Sequence, residues 1–296
     1  CAGIWSDEPA EAWRPIARFL SEHGAVPGIQ LAHAGRKAST TPPWVGGQAV
    51  APSDGGWTPL AVSAANPTPK RRFVPPQIAS REALHAVIEA FATASRRAID
   101  AGFRWIELHA AHGYLLHSAL SPLTNDRDDE YGGTFEGRTR LVREVARAVR
   151  AAIPTSVVLA VRLSATDWAD EMPEAGQGWT IEDSVALAHG LREDGVDLLD
   201  ISSGGTLPVA PTQAQQPGFQ IPFARQIRQA TGIPTAAVGG IGDPHLSEQA
   251  VSQGDCDLVL VGRAMLRDPQ WPIHAALALG HATPPIPDAY LRGFPT

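Results

Sequence analysis

Short apolar runs and longer amphipathic stretches take turns along most of this chain. The runs are Gly28–Ala32, Trp105–His109, Val157–Leu163, Asp197–Ser202, Pro234–Val238 and Asp257–Gly262. Being apolar on both faces, they have the character of strands buried in a parallel sheet. Between them, Leu84, Val87, Ile88, Phe91, Ser95 and Ile99 recur at helical spacing, as do Leu141, Val142, Val145, Val149 and Ile153 ahead of Pro154. Thr180, with Asp183 three residues on, predicts a capped helix whose apolar face is Ile181, Val185, Ala188 and Leu191. Asp243-Pro244 predicts another helix start, and a further helix near Glu8–His23 precedes the first strand.

This alternation predicts six βα units and a parallel sheet, either doubly wound or closed as a barrel. No Gly-x-Gly-x-x-Gly follows the first run, so the dinucleotide fingerprint of doubly wound folds is missing. A barrel needs about eight units. The expectation is therefore an α/β chain forming a (β/α)8 TIM barrel that lacks its first two βα units, as a single domain over 1–296. Such a sheet would expose two long apolar edges. One connection breaks the rhythm: residues 36–80 carry eight prolines and little periodicity. A loop of that length is usually a functional lid or disordered, and this one leaves the C-terminal end of a strand, where barrels build active sites.

Composition changes this picture little. The 296 residues are 44% hydrophobic and 19% charged, ordinary for a soluble globular protein. No apolar run approaches the roughly 20 residues that span a bilayer, and no basic-then-apolar leader is visible. A formal charge of −7 argues against nucleic-acid or acidic-membrane partners. Cys1 and Cys256 form no framework or metal pattern, which suits a reducing cytoplasm.

The strand ends carry the candidate chemistry. They hold Gln30, His33, Arg36 and Lys37, then His109, His112 and Tyr114, then Arg162, then Ser202 and Ser203. The last two ends, "AVGGIGDP" and "LVGRAML", bring Val238, Gly239, Gly240, Gly262 and Arg263 to adjacent loops. Glycine-rich ends with free N–H groups and a guanidinium fork suit a phosphate, although each glycine pair alone is only a tight turn. His109 and His112 lie three apart at a strand end. A zinc site would need a third ligand, and neither cysteine is placed to serve. With Tyr114 nearby, imidazole N–H groups and a phenol could instead hold a carbonyl oxygen and donate a proton.

"PGIQLAHAGRKAS", "WIELHAAHGYLLHSALSPLTNDRDDEYGGTFEGRTRL", "VRLSATDW", "AVGGIGDP" and "LVGRAMLRDPQW" resemble the Old Yellow Enzyme family of FMN-dependent ene-reductases. The likeness is greatest to its xenobiotic reductase, or thermophilic-like, branch, and runs from Cys1 to the "AYLRGF" tail. By this resemblance "GIQLAH" is the third strand of eight, which makes the chain an N-terminally truncated member. The resemblance implies FMN as cofactor and NADPH or NADH as hydride donor. It gives Gln30 to the flavin pyrimidine edge and Arg162 to the N1–O2 side. A cation about 4 Å from charge gathering there is worth roughly 4 kcal/mol at an effective dielectric near 20. Val238, Gly239, Gly240, Gly262 and Arg263 match the phosphate loops. His109 and His112 match the pair that grips a carbonyl or nitro oxygen, Tyr114 the proton donor, and Lys37 a residue at the site's mouth.

The implied reaction reduces the C=C bond of an α,β-unsaturated carbonyl or nitro compound, with hydride from flavin N5 and a proton from Tyr114. Arg292 corresponds to an arginine that reaches a neighbouring subunit's site in some relatives, which implies a homo-oligomer. The chain departs from the family at Asp126, where a lysine is usual between Asn125 and Arg127, and at Gly137, where an asparagine is usual. Cys1 comes too late to be the branch's redox-tuning cysteine. Against the enzyme stands a truncated, non-catalytic fragment that retains no flavin. A zinc hydrolase using the two histidines is a further alternative. An iron–sulfur relative acting on dienoyl thioesters would need more than two cysteines. Lys70, Arg71 and Arg72 would suit a 2′-phosphate, or form a solvated charge cluster.

Overall fold

A computed structural model describes residues 2–67, 73–208, 211–281 and 286–293. Cys1 and the run Lys70, Arg71 and Arg72 lie outside the described residues. All six anticipated strands form: β1 (Gly28–Leu31), β4 (Trp105–Ala110), β5 (Val158–Ser164), β6 (Leu198–Ser202), β7 (Thr235–Val238) and β8 (Leu258–Leu260). They pair in parallel in the order β1-β4-β5-β6-β7-β8, a curled sheet that makes half a barrel.

Helices flank the sheet: α1 (Asp7–Glu22), α2 (Arg81–Ala101), α3 (Leu115–Leu120), α4 (Phe135–Ala152), α5 (Ile181–Glu193), α6 (Ile221–Thr231), α7 (Pro244–Ser252), α8 (Arg263–Arg267) and α9 (Trp271–Ala278). Their ends are where capping chemistry puts them. Ser80, Thr134 and Asp243 accept N–H bonds from Ala83, Gly137 and Leu246. Thr180 and Asp183 form a reciprocal capping box. Gly102 and Gly232 end α2 and α6 in the left-handed region.

Strand alternation divides the sheet's side chains between two environments. Ile106, Leu108, Leu159, Val161, Leu163, Leu199 and Ile201 face the helices and pack with residues such as Phe91, Val145 and Leu187 in one core. Burying a leucine there contributes about 2 kcal/mol. The other face carries Ala160, Leu198 and Ala236, packed against Trp105 and Leu260. Further along the same strands, this inner face turns polar: Glu107 and His109, then Arg162 and Ser164, then Asp200 and Ser202.

Two expectations need correcting. Both edge strands are short, four residues in β1 and three in β8, so the exposed edges are not long. They leave correspondingly few backbone groups unpaired. The connection over residues 36–80 is also more ordered than its sequence suggests in its described part. It holds two short parallel strands, β2 (Leu60–Ala61) and β3 (Gln77–Ile78), and three single-turn 3-10 helices. Long-range bonds tie it down. Buried Arg36 donates to Ser63 O at 2.8 Å, and Arg127 donates to Val62 O at 2.8 Å and Ala79 O at 2.6 Å.

Of the two departures from the family pattern, Gly137 has a structural reason, whereas nothing in the structure explains Asp126 beside the matching Asn125. Asn125 is buried and its amide donates to Ala119 O and Tyr131 O at 2.6 and 2.8 Å. A Cβ on Gly137 would lie 2.1 Å from Gly132 O, so this backbone path admits only glycine. No described helix is long and apolar enough to cross a membrane.

Candidate active site

β4 delivers His109 to the inner rim, and the chain then makes a tight turn before α3. The turn needs two successive left-handed residues, His112 at φ 59° and Gly113 at φ 70°. It brings three rings together. The His109 ring centroid is 5.2 Å from that of His112 and 4.9 Å from that of Tyr114, the latter edge-on at 78°. Both imidazoles are held neutral. Burial, then the Arg162 charge, lowers His109 to about 4 and His112 to about 3. A neutral imidazole keeps one N–H donor and can hold an oxygen without surrendering a proton. His109 Nδ1 is buried with no hydrogen-bond partner, whereas His112 Nε2 lies 2.7 Å from Ser202 Oγ.

Beside this turn, a cavity of about 660 Å³ opens at the ends of β5, β7 and β8. That is within the range of small-molecule and cofactor sites. Its wall collects Arg162, Val238, Gly239, Gly240, Gly262 and Arg263, all of the residues that the sequence assigned to phosphate and to the flavin N1–O2 side. Gly239 and Gly240 have φ 102° and 66°, and a Cβ on Gly239 would meet Gln220 Nε2 at 2.4 Å. Gly262 is different: a Cβ there would meet nothing within 4 Å. The missing side chain leaves open space, the form of a cradle for a closely approaching ligand. Gln220 steadies the loop, donating to Val238 O at 2.7 Å and accepting from Ser203 Oγ at 2.6 Å. Ser202 belongs to both regions, since it lines the cavity and touches His112.

The inner face also carries buried charge that the sequence reading did not use. Arg162 Nε is 3.2 Å from Asp200 Oδ2, yet Arg162 Nε and both Asp200 oxygens lack hydrogen-bond partners. Burial, then the charge of Glu107, pushes Asp200 up to about 8, with Arg162 opposing. Burial likewise raises Glu107, against the hydrogen bond from Gln30 and the charge of Arg162. Gln30 donates from Nε2 to Glu107 Oε1 at 2.6 Å. A signal existed in the sequence: an acid inside "WIELHA" or "LLDISS" interrupts an otherwise apolar strand. Lys37 donates its ammonium to His112 O at 2.6 Å and Gly205 O at 2.5 Å, bridging two rim loops. Arg292 is exposed in the turn Asp288–Gly293. Among the described residues, no three His, Cys, Asp or Glu side chains gather as a metal site.

Residues 1–280 match the sequence model of the NADH:flavin oxidoreductase / NADH oxidase family. The chain belongs to that family. Among curated relatives, it is 42% identical over 278 residues to an NADPH dehydrogenase of Geobacillus sp. (strain WCH70), covering 94% of this chain and 74% of that one. It is 41% identical over 286 residues to an NADH:flavin oxidoreductase of Gibberella zeae, covering 90% of this chain and 67% of the relative. Among solved structures, 2-naphthoyl-CoA reductase superposes with a TM-score of 0.79 at 25% identity over 94% of this chain. A histamine dehydrogenase from Rhizobium sp. 4-9 superposes at 0.71 and 24% identity, a likeness of fold. The chain spans only 41% and 38% of those two proteins.

This member of the NADH:flavin oxidoreductase family is therefore an enzyme, a flavin-dependent NAD(P)H oxidoreductase with FMN as its flavin. Its residues fit that cofactor on three counts: a cavity of suitable volume, an open glycine cradle beside a guanidinium, and a cation set at the inner rim.

Proposed function

We propose that this flavin oxidoreductase is an ene-reductase of the xenobiotic reductase branch, taking electrons from NADPH or NADH and reducing the C=C bond of α,β-unsaturated carbonyl or nitro compounds. The observation that carries the reading is the contact between two chemistries at Ser202. The glycine-and-arginine cavity lies on one side of it, and the His109–His112–Tyr114 cluster on the other. FMN held in that cavity would supply two-electron hydride chemistry between a nicotinamide and an electron-poor alkene.

The protein's own groups do the rest. Backbone N–H groups around Val238, Gly239, Gly240 and Gly262, with the Arg263 guanidinium, hold the phosphate. Arg162 stabilises negative charge at the pyrimidine end, and Gln30 offers its carbonyl oxygen to the ring edge. His109 and His112, both neutral, donate N–H bonds to the substrate oxygen, and these strengthen as enolate charge develops. Tyr114 delivers the proton to the α-carbon. Lys37 shapes the mouth of the site by holding the His112 turn to the loop at Gly205. The six-stranded sheet is read as six of the eight units of a barrel, with residues 36–80 as the loop over the substrate. Arg292 reaches a neighbouring subunit's site in a homo-oligomer.

A second reading has one observation in its favour: among the described residues, β1 and β8 each pair on a single side. In that reading the chain folds but retains no flavin. A visible spectrum of the purified, desalted chain before and after adding FMN separates the two. The ene-reductase shows a bound-flavin band that bleaches anaerobically with NADPH and returns with cyclohexenone. A folded chain with no retained flavin supports the second reading. A band that bleaches but does not return sinks the proposed substrate class.

A further inference from the structure

Beneath the turn that carries His112 and Tyr114 lies a second buried histidine. His117, on α3, is fully buried, and its Nδ1 accepts the Gly113 N–H at 2.8 Å, with Thr206 Oγ1 at 3.3 Å. A ring nitrogen that accepts from a backbone amide carries no proton, so the neutral ring has its proton on Nε2. That nitrogen faces Asp167 Oδ1 at 3.4 Å, and neither atom has a hydrogen-bond partner. Asp167 is also buried, in the connection from β5 to α5. Its Oδ2 accepts from Ser121 Oγ at 2.5 Å and from Trp179 N at 2.9 Å. A carboxylate held by two bonds thus stands behind the ring, facing its Nε2.

The turn above needs such support. His112 occupies the left-handed region, unfavourable for a side chain with a Cβ, and Gly113 continues it. Other ties share the load: Lys37 Nζ bonds the His112 carbonyl, the His112 N–H donates to Ser164 Oγ at 3.0 Å, and Ser118 Oγ donates to Gly113 O at 3.2 Å. His117 is the side chain that takes the N–H end of the His112–Gly113 peptide, whose carbonyl end Lys37 holds.

We propose that His117, backed by Asp167, is a positioning residue of this turn, gripping the Gly113 N–H so that the His112 imidazole and the Tyr114 phenol converge on one substrate. The catalytic part rests on the function proposed above; the grip itself does not. The charged and titratable groups around the ring are Asp167, Lys37, His109 and His112. Burial lowers the His117 pKa, Asp167 opposes and Lys37 adds to the lowering. A proton on Nδ1 would set N–H against N–H and release the turn, so acid should act as the leucine variant does.

The test uses the full chain with FMN added, as wild type, His117→Leu and His117→Asn. Nitrogen NMR of wild type should report a bare Nδ1 and a protonated Nε2. Amide hydrogen exchange at Gly113 should speed by about tenfold in His117→Leu, the equivalent of one lost hydrogen bond. It should be largely restored in His117→Asn, whose carbonyl oxygen can accept the same N–H. Reoxidation of the reduced enzyme by cyclohexenone should slow about tenfold in the leucine variant and recover in the asparagine one, with the KM for NADPH unchanged.

The opposite tautomer overturns the proposal. So does unchanged Gly113 exchange in a leucine variant whose circular dichroism and melt match wild type. If His117→Leu does not fold, the wild-type tautomer and Gly113 exchange in Asp167→Asn decide the matter. A chain without flavin defeats the proposed function while leaving the NMR and exchange results to judge the grip.

Discussion

The rim of this sheet holds two regions built on opposite principles. At the end of β4, the turn bearing His112 and Tyr114 is held by side chains from other elements: Lys37, Ser164 and His117 each bond its backbone. At the ends of β7 and β8 the wall includes Gly239, Gly240 and Gly262, three positions that present backbone with no side chain. The difference suits what each region is proposed to hold. A clamp on a small oxygen depends on ring angles, so those angles are fixed by buried bonds. A phosphate is met by several N–H groups at once, so side chains there would obstruct it. On the proposed function, chemistry is positioned by support from behind, whereas anion binding is positioned by leaving room in front.

Changes in one region should therefore leave the other's property alone. The largest expected effect is Tyr114→Phe, which should slow reoxidation by an enone by about 10²-fold or more while FMN affinity stays as in wild type. Stopped-flow rates and flavin titration check it; a comparable loss of FMN affinity would falsify the separation. Arg263→Ala is the mirror image. Losing a charged hydrogen bond of about 2 kcal/mol should weaken FMN about thirtyfold by equilibrium dialysis, with the enone rate of the fully loaded enzyme little changed.

Asp200→Asn probes the buried charge between the two regions. Burial and Glu107 raise the Asp200 pKa to about 8, so the folded state keeps a proton that the unfolded chain has lost above about 4. The stability linked to that proton is complete below the unfolded value and is lost as pH rises through the folded one. The variant should then gain on wild type as pH rises across this window, by at most ~1.4 kcal/mol per pH unit in denaturant melts. A gap that stays flat from acid to neutral pH would mean that Asp200 is ionised throughout. His109 and His112 pull the other way. Their folded values of about 4 and 3 lie below the unfolded value of about 6.5, so their contribution is present above that and falls away in acid.

The smallest expected effect is at the shared residue. Ser202→Ala loses one hydrogen bond to His112, worth about 1 kcal/mol. It should change both the enone KM and FMN affinity by only a few-fold. A change in one alone would assign Ser202 to that region.

Much of this was legible in the chain. All six strands and the capped starts at Thr180 and Asp243 follow from local pattern, because hydrophobic alternation and capping are short-range. The residues assigned to phosphate and to the flavin N1–O2 side reach one cavity because they sit at the ends of neighbouring strands. The connection over 36–80 was less legible, since its order comes from Arg36 and Arg127 reaching distant carbonyls. Asp200, Glu107 and His117 were missed for a related reason. An acid in a strand or a histidine in a helix has no stated partner until the sheet curls.

The sequence by itself determined the strands, the helix caps, the family and which strand ends carry reactive residues, all of which depend on neighbours along the chain. Only the tertiary structure decided the neutral charge of the two rim histidines, the tautomer of His117 and the contact of Ser202 with His112 across the rim. Those are matters of burial and of atoms meeting from distant parts of the chain, and they exist only once the sheet has curled and excluded water.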